Sequence, residues 1–474
     1  MADPDSTDQT VEEESAAPAT RKWTVRRMMF VLGVLGFGVV AALAFRSIEG
    51  ASPTAAAASA PAHASQGHDD AEDVNAALVR SGKQTFRFDT FGDEPFWSGT
   101  LQIDKAIEGA ANGGEGAGVS PATALAVGLK VDVDALPASV KAGIKAGTVN
   151  LNDPATTVAL LKLNAVIGVK GTFNSAGSLQ AVGIECALCH STVDNSFAPG
   201  IGHRLDGWAN RDLNVGTIIG LSPNLTPIAN LLHTDVPTVK KVLAAWGPGK
   251  FDAELFLDGK GFQPNGTSAA ALIPPAFGLA GVNLHTWTGW GSVPYWNAFV
   301  AILEMHGQGN FTDARLDNAA QFPIAAENHF GHVRTTNDLV SVKLPALQAY
   351  QLSLKAPTPP KGSFDPAAAA RGKALFSGKA NCASCHIAPT FTEPGENLHS
   401  GSEIGIDNFE ADRSPTHMYR TAPLAGLWTH MKGGFYHDGR FPTLLSVVQH
   451  YNDTFHLNLT AAQENDLVQY LLSI

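Results

Sequence analysis

Two copies of one short motif contain all four cysteines of this chain. Their thiols and the histidines that follow them are Cys186, Cys189, His190, Cys382, Cys385 and His386. A C-x-x-C-H motif is the attachment signature of c-type haem, because two thiols at this spacing can add across the two vinyl groups of a porphyrin. The adjacent imidazole then lies under the ring and can ligate the iron. The sequence therefore predicts two covalently attached haems c, with His190 and His386 as iron ligands.

Other uses of paired cysteines fit this pattern less well. A zinc site needs four ligands close together, whereas the two pairs are far apart along the chain. A thioredoxin-type redox centre needs only one pair and does not require the following histidine. Structural disulfides would not need two identical spacings, each followed by histidine. Haem attachment is the interpretation that uses every residue of both motifs.

Two predicted helices frame the second motif. Asp365 is a good N-cap and stands before Pro366 at the first helical position, and residues 367–376 are rich in alanine. Near the chain end, Thr460 and Gln463 have the spacing of a capping box. The apolar residues that follow on one helical face are Leu467, Val468, Leu471 and Leu472. We expect these two helices to pack together over the haem as the core of a cytochrome c domain.

A series of short motifs follows the second haem motif. They are 389–393 (PTFTE), 397–399 (NLH), 419–424 (YRTAPL) and 436–440 (YHDGR), then a Thr-Leu and a Val-Val pair. With these motifs, residues 364–474 resemble the C-terminal half of bacterial diheme cytochrome c peroxidases. The resemblance implies a helical cytochrome-like domain whose haem has His386 as its first axial ligand.

The same resemblance suggests the second axial ligand of that haem. In the family, this ligand follows the His-Asp-Gly turn and is often Met, and in the methylamine-utilisation diheme enzyme it is Tyr. Counting along the motif here reaches Tyr451, with His450 beside it. Tyr451 is therefore the first candidate and His450 the second. Met418 is a third, on thioether chemistry alone, and each of the three could instead be a packing residue.

The first motif has a less familiar setting. No equally clear cytochrome helix precedes Cys186, and the run 166–182 is rich in glycine and β-branched residues. Residues 293–306 predict a helix that carries Met305 near its end. Met305 is the candidate distal ligand of the first haem, because methionines are scarce in this chain. His203 is its rival, and a vacant sixth position is the third option.

Residues near the first motif in sequence are candidates for the pocket on the distal side. They are His203, Arg204 and Trp208, which follow Cys189 closely. Any acid–base role for them depends on geometry that the sequence does not give.

Residues 75–180 carry no motif that assigns them a role. Aromatic residues cluster near their start, namely Phe86, Phe88, Phe91, Phe96 and Trp97. Such a cluster more often belongs to a hydrophobic core than to a cofactor site, so we predict core positions here.

The N-terminal part predicts export. Residues 28–45 contain no charge and Arg46 closes the run, which as a helix would span about 27 Å. The hydrocarbon core of a bilayer is about 30 Å thick. Basic residues before the run predict a cytoplasmic N-terminus and a single-pass inner-membrane anchor, with the rest of the chain in the periplasm. Cleavage after Ala62-His63-Ala64 is the alternative.

Composition sets the remaining limits. The chain has 474 residues, of which 44% are hydrophobic, so we expect two or three domains in a mainly α protein with irregular loops. Its net charge of −12 argues against nucleic acid as the main partner. The predicted segments are a cytoplasmic tail (1–27), a transmembrane anchor (28–46), a flexible linker (47–74), a region of unknown role (75–180), a first haem domain (181–355), a linker (356–363) and a second cytochrome c-like haem domain (364–474).

Two functions follow from two haems. If protein ligands fill both positions on each iron, the chain is a membrane-anchored periplasmic cytochrome that transfers electrons between redox partner proteins, which is the interpretation we favour from sequence. The alternative is a peroxidase-like oxidoreductase that uses an open haem to reduce hydrogen peroxide or activate oxygen. The resemblance supports the alternative, although the N-terminal half does not follow the peroxidase pattern. An assembly subunit that carries haem ranks last.

Overall fold

The computed structural model describes residues 66–393, 397–430 and 432–474. The predicted tail 1–27, the anchor 28–46 and the alternative cleavage site lie outside the described residues. Among the helices that are described, none has both the length and the apolar character needed to cross a bilayer.

Short helices, joined by irregular loops, form most of the regular structure. Helices α1 to α17 are Gln66–Phe88, Ile103–Glu108, Pro121–Ala126, Ala138–Ala146, Pro154–Lys162, Ala187–His190, Val215–Gly220, Thr226–Leu231, Val236–Trp246, Leu255–Asp258, Val293–Phe299, Pro323–Glu327, Leu344–Ser353, Pro366–Ser377, Phe409–Asp412, Leu444–Thr454 and Ala461–Leu472. Two π-helical turns are Pro95–Thr100 and Val300–Glu304. Single 3₁₀ turns are Ala110–Asn112, Val133–Ala135, Ala314–Asp317, Phe330–His332, Ser341–Lys343, Cys382–Ser384, Ser402–Ile404 and Leu427–Thr429.

The strands are short and pair two by two. Strands β1 to β10 are Val131–Asp132, Val169–Phe173, Leu179–Ile184, Ser191–Val193, Ile201–Gly202, Arg204–Asp206, Lys250–Phe251, Ala271–Leu272, Leu398–His399 and Tyr419–Arg420. The pair β1–β5 is parallel, and β2–β3, β4–β6, β7–β8 and β9–β10 are antiparallel. No extended sheet forms in the described residues, so helix packing carries the fold.

The two helices predicted around the second motif form as expected. The Asp365 carboxylate accepts hydrogen bonds from the first backbone amides of α14, at 2.8 and 3.1 Å, a cap that contributes about 1 kcal/mol. Thr460 and Gln463 form the predicted capping box of α17. The helices cross at Gly372, where the backbone of α17 passes too close for any side chain. Beside the crossing, the Phe376 and Tyr470 rings pack edge to face at 5.1 Å.

Helices α1 and α13 repeat this arrangement in the first half of the chain. They cross at Gly82, where an added Cβ would clash with the Ala346 carbonyl and the Tyr350 side chain. The Phe86 and Tyr350 rings pack edge to face at 5.5 Å. Residues 82–86 (GKQTF) match 372–376 (GKALF) in the glycine, lysine and phenylalanine positions. A helix of the same kind as α14 therefore does precede the first C-x-x-C-H motif, although a long insertion separates the two.

The observed helices bear on two predicted boundaries. The packing of α1 on α13 extends the compact part that contains the first motif back to α1, ahead of residue 181. The predicted flexible linker 47–74 ends earlier than expected, because residues from Gln66 onward are the first turns of α1. Once tertiary contacts hold part of a helix, each further turn is easier to form, because propagation orders only one residue for each new hydrogen bond. The helix α1 can therefore extend toward the N-terminus.

The region of unknown role is an insertion between α1 and the first motif. It shares one apolar core with the residues after the motif, through side chains such as Leu101, Leu161 and Leu243. The parallel pair β1–β5 joins the two chain segments, with Val131 opposite Ile201. The β2–β3 hairpin then leads directly into the motif. The insertion therefore builds part of the wall around the first motif.

The predicted core role of the aromatic cluster is confirmed for most of its members. Phe86, Phe91 and Trp97 are buried. Trp97 also donates its indole N–H to the Met305 carbonyl at 3.0 Å. Phe96 differs, because its ring stacks on the His306 imidazole with 3.5 Å between centroids.

We expect the substitution Gly372→Ala to lower the free energy of unfolding by about 2 kcal/mol or more, because the new methyl group meets the backbone carbonyl of Asp466. Chemical denaturation of the haem-loaded protein measures this. The control is Gly220→Ala, where an added Cβ meets no heavy atom within 4 Å. Equal stability of the two variants would show that the crossing is not tight.

Candidate functional site

A cavity of about 670 Å³ surrounds the second motif. Its walls are largely apolar, and the side chains of Cys382, Cys385 and His386 form one part of them. None of the four cysteines forms a disulfide in the described structure. The volume is in the usual range for cofactor sites, about 300–1,000 Å³.

The His386 ring is oriented as an iron ligand would need to be. Its Nδ1 lies 3.0 Å from the Phe391 carbonyl oxygen, so this nitrogen carries the proton and donates it. Nε2 is then the free lone pair. Burial lowers the pKa of His386, which favours the neutral imidazole that binds metals. The thiols, the tautomer and the apolar cavity together fit a c-type haem.

Of the three candidates for the other axial ligand, Tyr451 is the one on the cavity wall. Burial raises the pKa of its hydroxyl. The neighbouring His450 instead donates Nε2–H to the Ile404 carbonyl at 2.8 Å. Among the described lining residues, neither His450 nor Met418 occurs. The geometry places Tyr451 where the prediction requires it, and its ligation of iron stays a prediction.

Another cavity, of about 340 Å³, adjoins Cys186, Cys189 and His190. We call this one, around the first motif, the first cavity, and the one around the second motif the second cavity. Burial lowers the pKa of His190 to about 4, so its imidazole is neutral at physiological pH. Its Nδ1 is buried without a hydrogen-bond partner in the described structure. A buried neutral imidazole that lines one cavity with two thiols fits the same cofactor.

The predicted helix 293–306 forms as α11, which continues into the π-helical turn Val300–Glu304. Met305 and His306 follow this turn, and both line the first cavity. His306 has a left-handed backbone with φ 62°, and burial lowers the pKa of its ring to about 4. Met305 keeps its place as a candidate ligand. His306 is a second candidate that sequence reasoning missed, although its position beside Met305 was a visible signal.

The three residues chosen for their sequence proximity to the first motif lie elsewhere. His203 is exposed and pairs with Asp134 at 2.9 Å, and Arg204 pairs with Asp132 at 2.6 Å. The Trp208 ring packs edge to face on the Trp428 ring, with 5.4 Å between the ring centroids. None of the three is among the described residues that line the first cavity. The structure therefore does not support these residues as a distal pocket, or His203 as the rival ligand, because His203 and Arg204 lie at the end of the β4–β6 hairpin that is away from Ser191.

Four buried carboxyl groups line the first cavity instead, those of Glu185, Glu254, Glu304 and Glu410. Burial raises the pKa of Glu185 to about 8, the pKa of Glu254 to about 7, and the pKa values of Glu304 and Glu410 well above the ordinary range. The Oε2 atom of Glu304 is buried and lacks a hydrogen-bond partner in the described structure, whereas Glu410 Oε2 lies 3.8 Å from the Arg413 guanidinium. Among the 44 acidic residues of the sequence, nothing singles out these four.

Asp252 and Asp258, close to this acidic group, share one arginine. The Arg413 guanidinium contacts both Asp252 and Asp258 at 2.8 Å, and all three side chains are buried. A buried charge is tolerated when it is paired and hydrogen-bonded. Arg413 therefore joins residues 364–474 to residues 181–355 through a buried ion pair.

The two cavities share part of their walls. The residues that line both are Pro274, Pro275, Leu279, Thr286, Trp287 and Arg420. The Trp287 indole N–H donates to the Leu272 carbonyl at 2.8 Å, which fixes the ring. The Trp287 carbonyl accepts the Arg420 backbone N–H at 2.9 Å. An aromatic side chain and a guanidinium therefore lie at the boundary of both sites.

Comparison with known proteins finds partial similarities. No protein-family model matches this chain. The methylamine utilization protein MauG of Methylorubrum extorquens is 39% identical over 89 residues, which is 18% of this chain and 24% of that protein. The match thus spans about a quarter of the relative's length.

Two solved structures show a distant likeness. One is a MauG-like protein associated with microbial copper homeostasis, with 16% identity, a TM-score of 0.30, and coverage of 45% of this chain and 75% of that one. The other is the hydrazine synthase of Kuenenia stuttgartiensis, with 15% identity, a TM-score of 0.25, and coverage of 47% and 86%. We therefore base the fold on this chain's own helix packing.

Substituting Tyr451→Phe should change the ferric optical and EPR spectra of one haem, because the variant removes the oxygen that would bind iron. His450→Gln is the matched control and should leave both spectra as they are, since the His450 ring is engaged by the Ile404 carbonyl. Unchanged spectra for Tyr451→Phe would exclude Tyr451 as the ligand and would leave His450 and Met418 as the candidates.

Proposed function

We propose that this protein is a diheme c-type cytochrome of the peroxidase-like class, an oxidoreductase that reduces hydrogen peroxide at the first haem site. The observation that carries the proposal is a difference between the two cavities. The second offers Tyr451 as a side-chain ligand. The first, where Met305 and His306 are candidate ligands, is in addition lined by buried carboxyl groups, and the Oε2 atom of Glu304 has no hydrogen-bond partner in the described structure. The similarity to MauG supports this class over a protein that only transfers electrons.

The second cavity suits the storage and delivery of an electron. With His386 on one side and Tyr451 available in the same cavity, both axial positions can be filled by the protein. A site filled in this way excludes peroxide and keeps its geometry during electron transfer. Trp287, on the shared wall, is held between the two sites by its hydrogen bond to Leu272.

The first cavity suits chemistry on a small oxygen species. Haem bound there would supply a coordination position and a reducing centre. Glu304 lies close enough to Cys189 to affect its thiol electrostatically, so its carboxyl group is near the place where the cofactor attaches. An acid at this position can hold a proton and give it to a peroxide oxygen. The apolar remainder of the wall excludes bulk water.

The balanced reaction needs two electrons and two protons for each hydrogen peroxide, and it releases two waters. The electrons would come from a redox partner protein through the second site. The protons would come from solvent through the buried carboxyl groups, with Glu304 as the residue nearest the reaction.

We also propose that the chain acts in the periplasm, attached to the inner membrane by residues 28–46. The uncharged run, the basic residues before it and the haem motifs support this location. The net charge of −12 favours basic redox partner proteins and association that weakens as salt is added.

The purified full-length protein, produced with a haem-attachment system, should show one high-spin haem in its half-reduced form and should consume hydrogen peroxide rapidly. EPR and optical spectroscopy with a peroxide assay measure both. Two low-spin haems in every redox state, with no peroxide consumption, would mean that Met305 or His306 fills the first site and that the protein only transfers electrons.

Glu304→Gln should reduce peroxide turnover by about 100-fold, because the amide keeps the shape of the side chain but cannot give up a proton at this step. The haem content should be unchanged. Glu327→Gln is the control, since that carboxyl group is exposed and pairs with His233 on the surface. A Glu304→Gln variant with normal turnover would exclude this residue as the acid.

A further inference from the structure

Arg211 is a buried cation without an anion. Only 7% of the residue is exposed, and it lines the second cavity. Its Nε and Nη1 atoms have no hydrogen-bond partner among the described residues. Its sequence neighbour Asp212 cannot serve, because that carboxylate is held by Lys130 at 2.8 Å and Lys432 at 2.6 Å. A buried guanidinium left in this state is costly, so its position implies a ligand.

Other arginines of the described chain show what a buried guanidinium normally contacts. Arg413 contacts two aspartates, and Arg204 pairs with Asp132. These pairs are the usual bidentate or charge-assisted contacts of arginine with carboxylates. Arg211 has the same burial and lacks such a contact.

Two further polar groups face the same cavity as Arg211. Arg420 donates to the backbone carbonyls of Thr286 at 3.0 Å and Leu284 at 2.8 Å and contacts no carboxylate in the described structure. The Nε2 atom of His430 is buried without a partner. Burial, and no neighbouring carboxylate, accounts for the lowered pKa of both arginines, each to about 10. All three groups line one cavity, and in the described structure neither guanidinium pairs with a carboxylate.

We propose that Arg211, Arg420 and His430 form a carboxylate-binding subsite of the second cavity, and that it holds the propionates of the haem attached at Cys382 and Cys385. A haem bound through its vinyl groups presents its two propionates at the opposite edge. The subsite supplies two guanidinium groups for these two carboxylates. Arg211 thereby acts as a positioning residue, contributed by the first haem domain to the cofactor of the second.

This inference rests on the proposed function only in that haem occupies the cavity. A free carboxylate ligand would satisfy the same donors, so the two sources must be separated by experiment. The pyridine haemochrome content of the full-length protein tests the occupancy by itself. A content of two haems per chain would support the premise that haem occupies this cavity, whatever the peroxide assay shows.

The test is redox-difference infrared spectroscopy of the full-length holoprotein carrying haem labelled with ¹³C at the propionate carboxyls. Arg211→Gln should shift the labelled carboxylate band and lower the midpoint potential of the second haem, which is the one that responds to Tyr451→Phe. Arg211→Lys should restore most of the midpoint potential, because it keeps the charge, but not the band position, because it loses the planar fork. Arg371→Gln, which removes an exposed arginine of the second domain, should change neither.

A labelled band in Arg211→Gln identical to that in Arg371→Gln would overturn the proposal, even if the midpoint potential moved. Binding of ¹³C-acetate to the wild-type holoprotein that Arg211→Gln abolishes, with an unchanged haem band, would assign the subsite to a free carboxylate and also overturn it. If Arg211→Gln accumulates no holoprotein, Arg420→Gln is measured in its place against the same control, with the same two outcomes.

Discussion

Backbone-to-backbone contact between two helices, made possible by a single glycine, sets the geometry of each half of this molecule. At Gly82 and at Gly372 the partner helix passes so close that a methyl group would meet a carbonyl oxygen. A phenylalanine one turn further along each helix packs on a tyrosine of the partner helix. Because these crossings fix the helix axes, they fix where each motif, cavity and lining side chain can lie.

The insertion between α1 and the first motif makes the two halves chemically different. In the second half, α14 leads almost directly to the haem motif, and the cavity wall includes Tyr451 from α16. In the first half, the same type of helix is followed by residues that build a large apolar core and bring the motif out of a β-hairpin. Repetition of the helix pair gives two similar sites, and the insertion gives one of them a different wall.

Buried charge links the two halves. Arg413, from residues 364–474, pairs with Asp252 and Asp258, and all three side chains are buried. Arg211, from the other half, lines the cavity around the second motif. Since buried charges need partners, the Arg413 ion pairs help to hold the two halves in one relative position.

The sequence by itself determined the chemistry that depends on neighbours in the chain. The C-x-x-C-H motifs, the cap at Asp365 and the capping box at Thr460 each involve residues a few positions apart, so local geometry suffices to identify them. Tyr451 is a candidate ligand only through the resemblance to diheme cytochrome c peroxidases, which gives the position to count from. The pairing of α1 with α13 had a weak local signal in the repeated G-K-x-x-F, but the long insertion hid it.

Only the tertiary structure decided which distant side chains surround each cavity. His203 and Arg204 are close to the first motif in sequence, yet a strand pairing carries them to other contacts. Glu304, Glu410, Arg211 and Arg420 come from separate segments and meet at the cavities. Burial removes these charged groups from water, and this gives them their significance. Burial arises from contacts between residues far apart along the chain, and no local pattern of residue types encodes it.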